Sequence, residues 1–138
     1  MEDKPILIVE DEIIFSLFLK MELMDFGFKK VETASSIPRA LNLIEIFEPE
    51  LLIMDVNLRD NADGIDLSKE IRKRLNREIP VIFISGEHQN NINQRLEAEM
   101  ADSHYLFLSK PIREKELIQT IESFIREVIE PRFVSEAV

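Results

Sequence analysis

Five short runs of mostly apolar residues punctuate the chain, and four of them stop on polar groups. Leu51-Leu52-Ile53-Met54 ends on Asp55, and Ile6-Leu7-Ile8-Val9 ends on Glu10-Asp11-Glu12. Val81-Ile82-Phe83-Ile84, opened by Pro80, ends on Ser85-Gly86-Glu87, and Tyr105-Leu106-Phe107-Leu108 leads into Ser109-Lys110-Pro111. Apolar runs without alternation read as strands buried on both faces, which is the pattern of a parallel sheet covered by helices. Val31-Glu32-Thr33-Ala34 is the fifth run and reads as a short second strand.

Between these runs the apolar spacing changes to that of a helix. Ile13, Phe15, Leu17, Phe18, Met21, Leu23, Met24 and Phe26 predict a first helix with a broad inward face, Asp11 placed to cap it and Gly27 to end it. Ser35 or Ser36 caps the second, which tolerates Pro38 in its first turn and turns Ala40, Leu41, Leu43, Ile44 and Phe47 inward. The polar loop Arg59-Asp60-Asn61-Ala62-Asp63-Gly64 ends in an Asp-Gly turn signal, and a third helix follows from about Ile65 to Leu75. From Asn90 to Met100 only Ile92, Leu96 and Met100 form an apolar stripe, so the fourth helix is expected to be the least firmly held. The last helix spans roughly Glu114 to Glu130, with Leu117, Ile118, Ile121, Phe124, Ile125, Val128 and Ile129 inward and Pro131 as its stop. Residues 1–130 then make one domain and 131–138 a short tail.

Five alternations of buried strand and helix mean βα units joined by right-handed crossovers. The expected fold is α/β and flavodoxin-like: a (βα)5 open parallel sheet in order 2-1-3-4-5 with helices on both faces. Its switch point lies between strands 1 and 3, where such sheets bind ligands. That topology alone makes the loops carrying Asp11 and Asp55 neighbours.

Composition narrows the function. A chain of 138 residues suits a single domain. The net charge of −10 argues against nucleic-acid binding through a basic face. No run approaches the ~20 apolar residues of a membrane span, and the acidic start Met1-Glu2-Asp3 lacks a secretory layout. With no cysteine there is neither a disulfide framework nor a thiolate metal site, so a cytoplasmic protein is expected. Most of the surplus acid serves solubility. Glu10, Asp11 and Glu12 in a row exceed what a helix cap requires, because adjacent carboxylates repel one another unless a cation is present.

The strand ends together carry Glu10 and Asp11, Asp55, Ser85 and Lys110. Carboxylates at one sheet edge suit a hard divalent cation such as Mg²⁺. A hydroxyl and an ammonium nearby serve the oxygens of a phosphoryl group, and an aspartate in that setting can attack phosphorus to form an acyl phosphate. Singly, each has a plain reading: a loop acid, a helix cap, a solvated lysine. His88 and His104 lie in separate segments without a companion at ligand spacing and read as polar loop or strand-edge residues.

The motifs Ile-Leu-Ile-Val-Glu10-Asp11-Glu12, Leu-Ile-Met-Asp55-Val-Asn-Leu, the Asp63-Gly64 turn, Ile-Ser85-Gly and Leu-Ser-Lys110-Pro111 resemble the receiver domain of two-component response regulators over nearly the whole chain. The resemblance implies phosphorylation of Asp55 by a sensor histidine kinase or histidine phosphotransfer protein. It implies Mg²⁺ held by Asp11, Asp55 and the backbone carbonyl of Asn57, with Glu10 assisting through water. Ser85 and Lys110 would bind phosphoryl oxygens, and the peptide bond before Pro111 would be cis. Phe107, three residues before the lysine, takes the place of the family's switch aromatic, which follows the Ser85 hydroxyl inward on phosphorylation; ordinary core is the alternative. Asn57 and Glu87 flank the site where polar side chains could orient a hydrolytic water. Arg59 replaces a common proline, and Gly86 a common alanine.

These features describe a stand-alone receiver that is not an enzyme in the ordinary sense. It would signal to a downstream protein, and could pair with a second copy, through the fourth helix, fifth strand and fifth helix. A small aspartate-nucleophile phosphatase competes, but the second acid such hydrolases usually carry two residues after the nucleophile is here Asn57. A receiver-like interaction module that is not phosphorylated is the third reading, and the full set of acids, hydroxyl and lysine speaks against it.

Overall fold

A computed structural model describes residues 3–59, 62–86 and 89–129. Strands β1 (Ile6–Val9), β2 (Val31–Ala34), β3 (Leu51–Asp55), β4 (Val81–Ser85) and β5 (Tyr105–Ser109) form one parallel sheet in order β2-β1-β3-β4-β5. Helices α1 (Ile13–Phe26), α2 (Ile37–Phe47), α3 (Gly64–Leu75), α4 (Gln89–Glu99) and α5 (Glu114–Phe124) alternate with them. This is the flavodoxin-like arrangement the alternation predicts.

Alternation of side chains along each strand divides the core in two. Leu7, Val9, Leu52, Met54, Val81 and Phe83 meet Ile44 of α2, Ile71 of α3 and Leu96 of α4 on one face. Ile6, Ile8, Leu51, Ile53, Ile82 and Ile84 meet Leu19 and Leu23 of α1 and Leu117 and Ile121 of α5 on the other. The register pairs Val9 with Met54, Asp55 with Ile84 and Ser85 with Ser109, which brings the polar strand ends to one edge.

Helix α1 departs from its expected packing. Only Ser16, Leu19 and Leu23 are buried; Ile13, Leu17, Phe18, Met21, Met24 and Phe26 are exposed, and Ile14 is 86% exposed. The helix is apolar around most of its circumference, so its spacing could not tell the buried stripe from the exposed one. Nor does Asp11 cap it: Glu12 occupies the cap position and makes no side-chain cap bond, while Gly27 ends the helix at φ 128° as expected. Ser36 caps α2 through Arg39 N–H. The last helix leaves α geometry at Ile125, and Ile125–Ile129 form a π-helical turn whose apolar residues still face the core.

Helix α4 reaches the core through Ile92, Leu96 and Met100 alone among its own and its flanking apolar residues. Its seam with α3 is ionic. Lys69 Nζ lies 2.5 Å from Glu99 Oε1, and Arg95 Nε donates to Glu99 Oε2 at 2.8 Å. Arg72 reaches the hydroxyl of Ser103 just beyond α4 and Glu78 at 3.1 Å. Hydrogen bonds from Arg95 and then Lys69 hold the Glu99 carboxyl down at about 2.

Two outcomes follow from this packing. A Cβ on Gly64 would stand 2.0 Å from the backbone oxygen of Asp55, so Gly64→Ala is expected to cost about 1–3 kcal/mol or more in urea denaturation. The depressed Glu99 carboxyl stabilises the fold above its ordinary value of 4.5, and that contribution disappears as pH falls toward about 2. Thermal unfolding across that range should decline less steeply in Glu99→Gln than in the wild type.

Candidate functional site

The carboxyl edge of β1 delivers Glu10, whose backbone N–H donates to Ala34 O at 3.0 Å and whose side chain is 3% exposed. Its Oε1 accepts the backbone N–H of Glu12 at 3.0 Å, which fixes the carboxylate toward the sheet edge. Asp55 ends β3 and is 7% exposed, with Oδ1 accepting the backbone N–H of Asn57 at 3.1 Å. Asp11 is half-buried beside them. One oxygen from each of Glu10, Asp11 and Asp55 lies within 4.8 Å of the others.

Lys110 enters from the far end of β5, its backbone N–H donating to Ser85 O at 2.8 Å, and the Lys110–Pro111 bond is cis. Its Nζ lies 3.1 Å from Glu10 Oε2, 3.4 Å from Glu12 Oε1 and 3.8 Å from Asp55 Oδ2. The ammonium also stands 4.7 Å from the centre of the Phe15 ring, a cation–π distance. Arg59 Nε lies 3.8 Å from Asp11 Oδ2, with the Arg59 side chain largely in solvent.

Burial raises the Glu10 carboxyl to about 7, with the Asp55 charge adding and the hydrogen bonds from Glu12 N–H and Lys110 opposing. Burial raises Asp55 above the usual carboxylate range as well, against the pull of Lys110 and the Asn57 N–H. Burial alone would lower Lys110, but its hydrogen bond to Glu10 and the charges of Asp55, Glu10 and Glu12 outweigh that and hold it above its ordinary value. Carboxylates outnumber the cation they share, and every free donor is a hard oxygen. That set fits a divalent cation of the Mg²⁺ type.

Ser85 is fully buried, and its hydroxyl accepts Asn57 Nδ2 at 3.3 Å. Asn57 also forms an isolated antiparallel bridge with Asp63. Leu58 N–H donates to Ala62 O at 2.9 Å and Gly64 N–H to Val56 O at 2.8 Å, folding the loop back on the end of β3. The absent Cβ of Gly64 is what permits so close an approach.

The structure therefore brings together Glu10, Asp11, Asp55, Asn57, Ser85 and Lys110. Phe107 is half-buried on β5, paired in register with Phe83 and on the same face as Tyr105, apart from the carboxylates. His104 is exposed before β5. Glu87, His88, Asp60, Asn61 and the tail lie outside the described residues. Glu12, Phe15 and Arg59 join the site without having been singled out for it. Glu12 stood in the acidic triplet, whereas Phe15 looked like one more apolar position.

Relief of carboxylate repulsion gives a direct measurement. At about ten times its Kd, Mg²⁺ in place of a chelator should raise the melting temperature by roughly 2–6 °C, and Asp11→Asn should remove most of that shift. An unchanged melting temperature would exclude cation binding here.

Comparison with known proteins agrees with this geometry. The family described as the response regulator receiver domain matches residues 6–122. The transcriptional regulatory protein PdtaR of Mycobacterium tuberculosis is 32% identical over 117 residues, 85% of this chain and 54% of that protein. The response regulator protein GraR of Staphylococcus epidermidis is 32% identical over 127 residues, 91% of this chain and 53% of its own length. The chain thus spans about half the length of these relatives. NtrX from Brucella abortus superimposes with a TM-score of 0.78 at 30% identity, covering 99% of this chain and 30% of that one. The chemotaxis protein CheY4 of Vibrio cholerae shares the fold, with a TM-score of 0.77 at 24% identity over 88% of this chain and 98% of its own.

Proposed function

The chain belongs to the response regulator receiver domain family, and on that premise we propose that it accepts a phosphoryl group on Asp55 and passes the signal on by protein contact. The observation that carries this reading is the buried Asp55 carboxylate, with two further acids within 4.8 Å and the Lys110 ammonium at 3.8 Å. In the transfer an Asp55 oxygen bonds to phosphorus as the phosphorus–nitrogen bond to the donor histidine breaks, and the imidazole leaves. In this reading Lys110 and Ser85 bind the phosphoryl oxygens, Lys110 by loosening its contacts with Glu10 and Glu12, and Ser85 by turning its hydroxyl from Asn57. Asp11 and Asp55, with Glu10 behind them and the Asn57 carbonyl alongside, would hold Mg²⁺, which when bound neutralises charge developing on the phosphoryl group.

The donor in this reading is a sensor histidine kinase or histidine phosphotransfer protein, met in the cytoplasm. The output surface is α4, β5 and α5, with Phe107 reporting the state of Ser85, and a downstream protein or a second copy binds there. The chain acts on itself rather than turning over a substrate, and Asn57 in place of a second acid supports that reading over a phosphatase. The role in transcription that a relative carries in its name belongs to a longer protein, of which this chain matches about half.

Incubation with Mg²⁺ and a small phosphodonor should add one phosphoryl group by intact mass. Labelling should disappear in Asp55→Asn and in chelator; labelling that survives Asp55→Asn overturns the assignment. The aspartyl phosphate should last minutes or less, and Asn57→Ala should alter that lifetime. A wild-type lifetime of many hours, unchanged by Asn57→Ala or Glu87→Ala, would exclude these residues from hydrolysis.

A further inference from the structure

The carboxylate of Asp63 does two separate jobs. Its Oδ1 accepts the backbone N–H groups of Ile65 at 2.8 Å and Asp66 at 3.1 Å, which caps α3. Its Oδ2 accepts Arg95 Nη1 from α4 at 2.5 Å. A neutral asparagine would cap the helix as well, so the charge serves the contact with α4. The backbone of Asp63 faces that of Asn57 across an antiparallel bridge closed by Leu58 N–H to Ala62 O and Gly64 N–H to Val56 O; the Asn57 N–H binds Asp55 and its side-chain amide binds the buried Ser85 hydroxyl. Side-chain hydrogen bonds at either end, joined by this backbone bridge, thus link α4 to the two groups on which the phosphoryl transfer depends. Arg95 is steadied at its far end by Glu99, which Lys69 of α3 also holds. Elsewhere α4 rests on little more than Ile92 and Leu96, with Met100 just beyond its end.

We propose that Arg95 is a positioning residue for the phosphorylation site: through Asp63 it ties α4 to Asn57 in the unphosphorylated arrangement, so that phosphorylation and release of α4 oppose this contact together. The inference rests on the reading of Asp55 as the phosphoacceptor. When the Ser85 hydroxyl turns to a phosphoryl oxygen, the Asn57 amide gives up its present geometry. Asp63 is bridged to Asn57 and shifts with it. Arg95 cannot follow without moving α4, because Glu99 anchors its guanidinium to the same helix. Linkage then sets the sign. A contact formed only in the unphosphorylated state weakens binding of the phosphoryl group, and removing it strengthens that binding by the same factor.

The test uses beryllofluoride with Mg²⁺ as the phosphoryl mimic, titrated into the wild type, Arg95→Gln, Arg95→Lys, Asp63→Asn and the Arg95→Gln/Asp63→Asn pair. Hydrogen exchange of α4 amides in the unliganded proteins is the second readout. Arg95→Gln and Asp63→Asn should each bind the mimic about 3- to 10-fold more tightly, with the pair no tighter than either alone. Arg95→Lys should stay near the wild type, because it restores the charge opposite Asp63. In both single neutral variants the α4 amides should exchange faster before any mimic is added. Asp63→Asn keeps the α3 cap, so its result stands even if Arg95→Gln disturbs the helix. Unchanged or weaker binding in both variants, with a wild type that binds, overturns the coupling and leaves the phosphoacceptor assignment intact. A wild type that does not bind the mimic overturns both.

Discussion

The Lys110 ammonium is the charge on which the carboxyl edge of this sheet depends. Glu10 and Asp55 are almost wholly buried, and Glu12 and Asp11 crowd the same edge. Desolvation penalises the Glu10 and Asp55 carboxylates, and repulsion between the two adds to the penalty. Lys110 offsets part of it by meeting Glu10, Glu12 and Asp55 at once, with the Phe15 ring closing one side. The remaining negative charge is what makes the edge receptive to a divalent cation and then to a phosphoryl group. A site with its charges fully balanced would have no such need.

The described residues on either side of the turn after β3 lie close together. Asp55 ends its strand with its backbone oxygen pressed against Gly64, and the loop returns through the Asn57–Asp63 bridge before α3 begins. The bridge sets Asn57 directly opposite Asp63, the residue that caps α3.

The two faces of the sheet resist displacement differently. α5 packs against its side with a continuous apolar surface from Leu117 to Ile125, as does α1 through Leu19 and Leu23. α4 rests on a thin stripe and is held sideways by ion pairs of Glu99 with Lys69 and of Arg95 with Asp63 and Asp66, contacts that salt and acid weaken. An element held in that way is easier to move than one held by burial. The outer surface of α1, with Ile14, Leu17, Phe18, Met21 and Met24 in solvent, is apolar to a degree that isolated domains seldom show.

The amino-acid sequence by itself determined the five strands, their order and the meeting of Glu10, Asp11, Asp55, Ser85 and Lys110, because continuous apolar runs, alternation and the handedness of crossovers leave few topologies. It was weaker wherever one residue type serves two ends. Asp11 reads as a helix cap as readily as a site acid, Phe15 as core rather than a partner for Lys110, and an α1 apolar nearly all round gives no hint of which stripe is buried. The contact between Arg95 and Asp63 joins residues far apart in the chain, and nothing in their local patterns announces it. Only the tertiary structure decided these matters, since each depends on which surfaces the packed sheet leaves within reach, and local spacing carries no record of that.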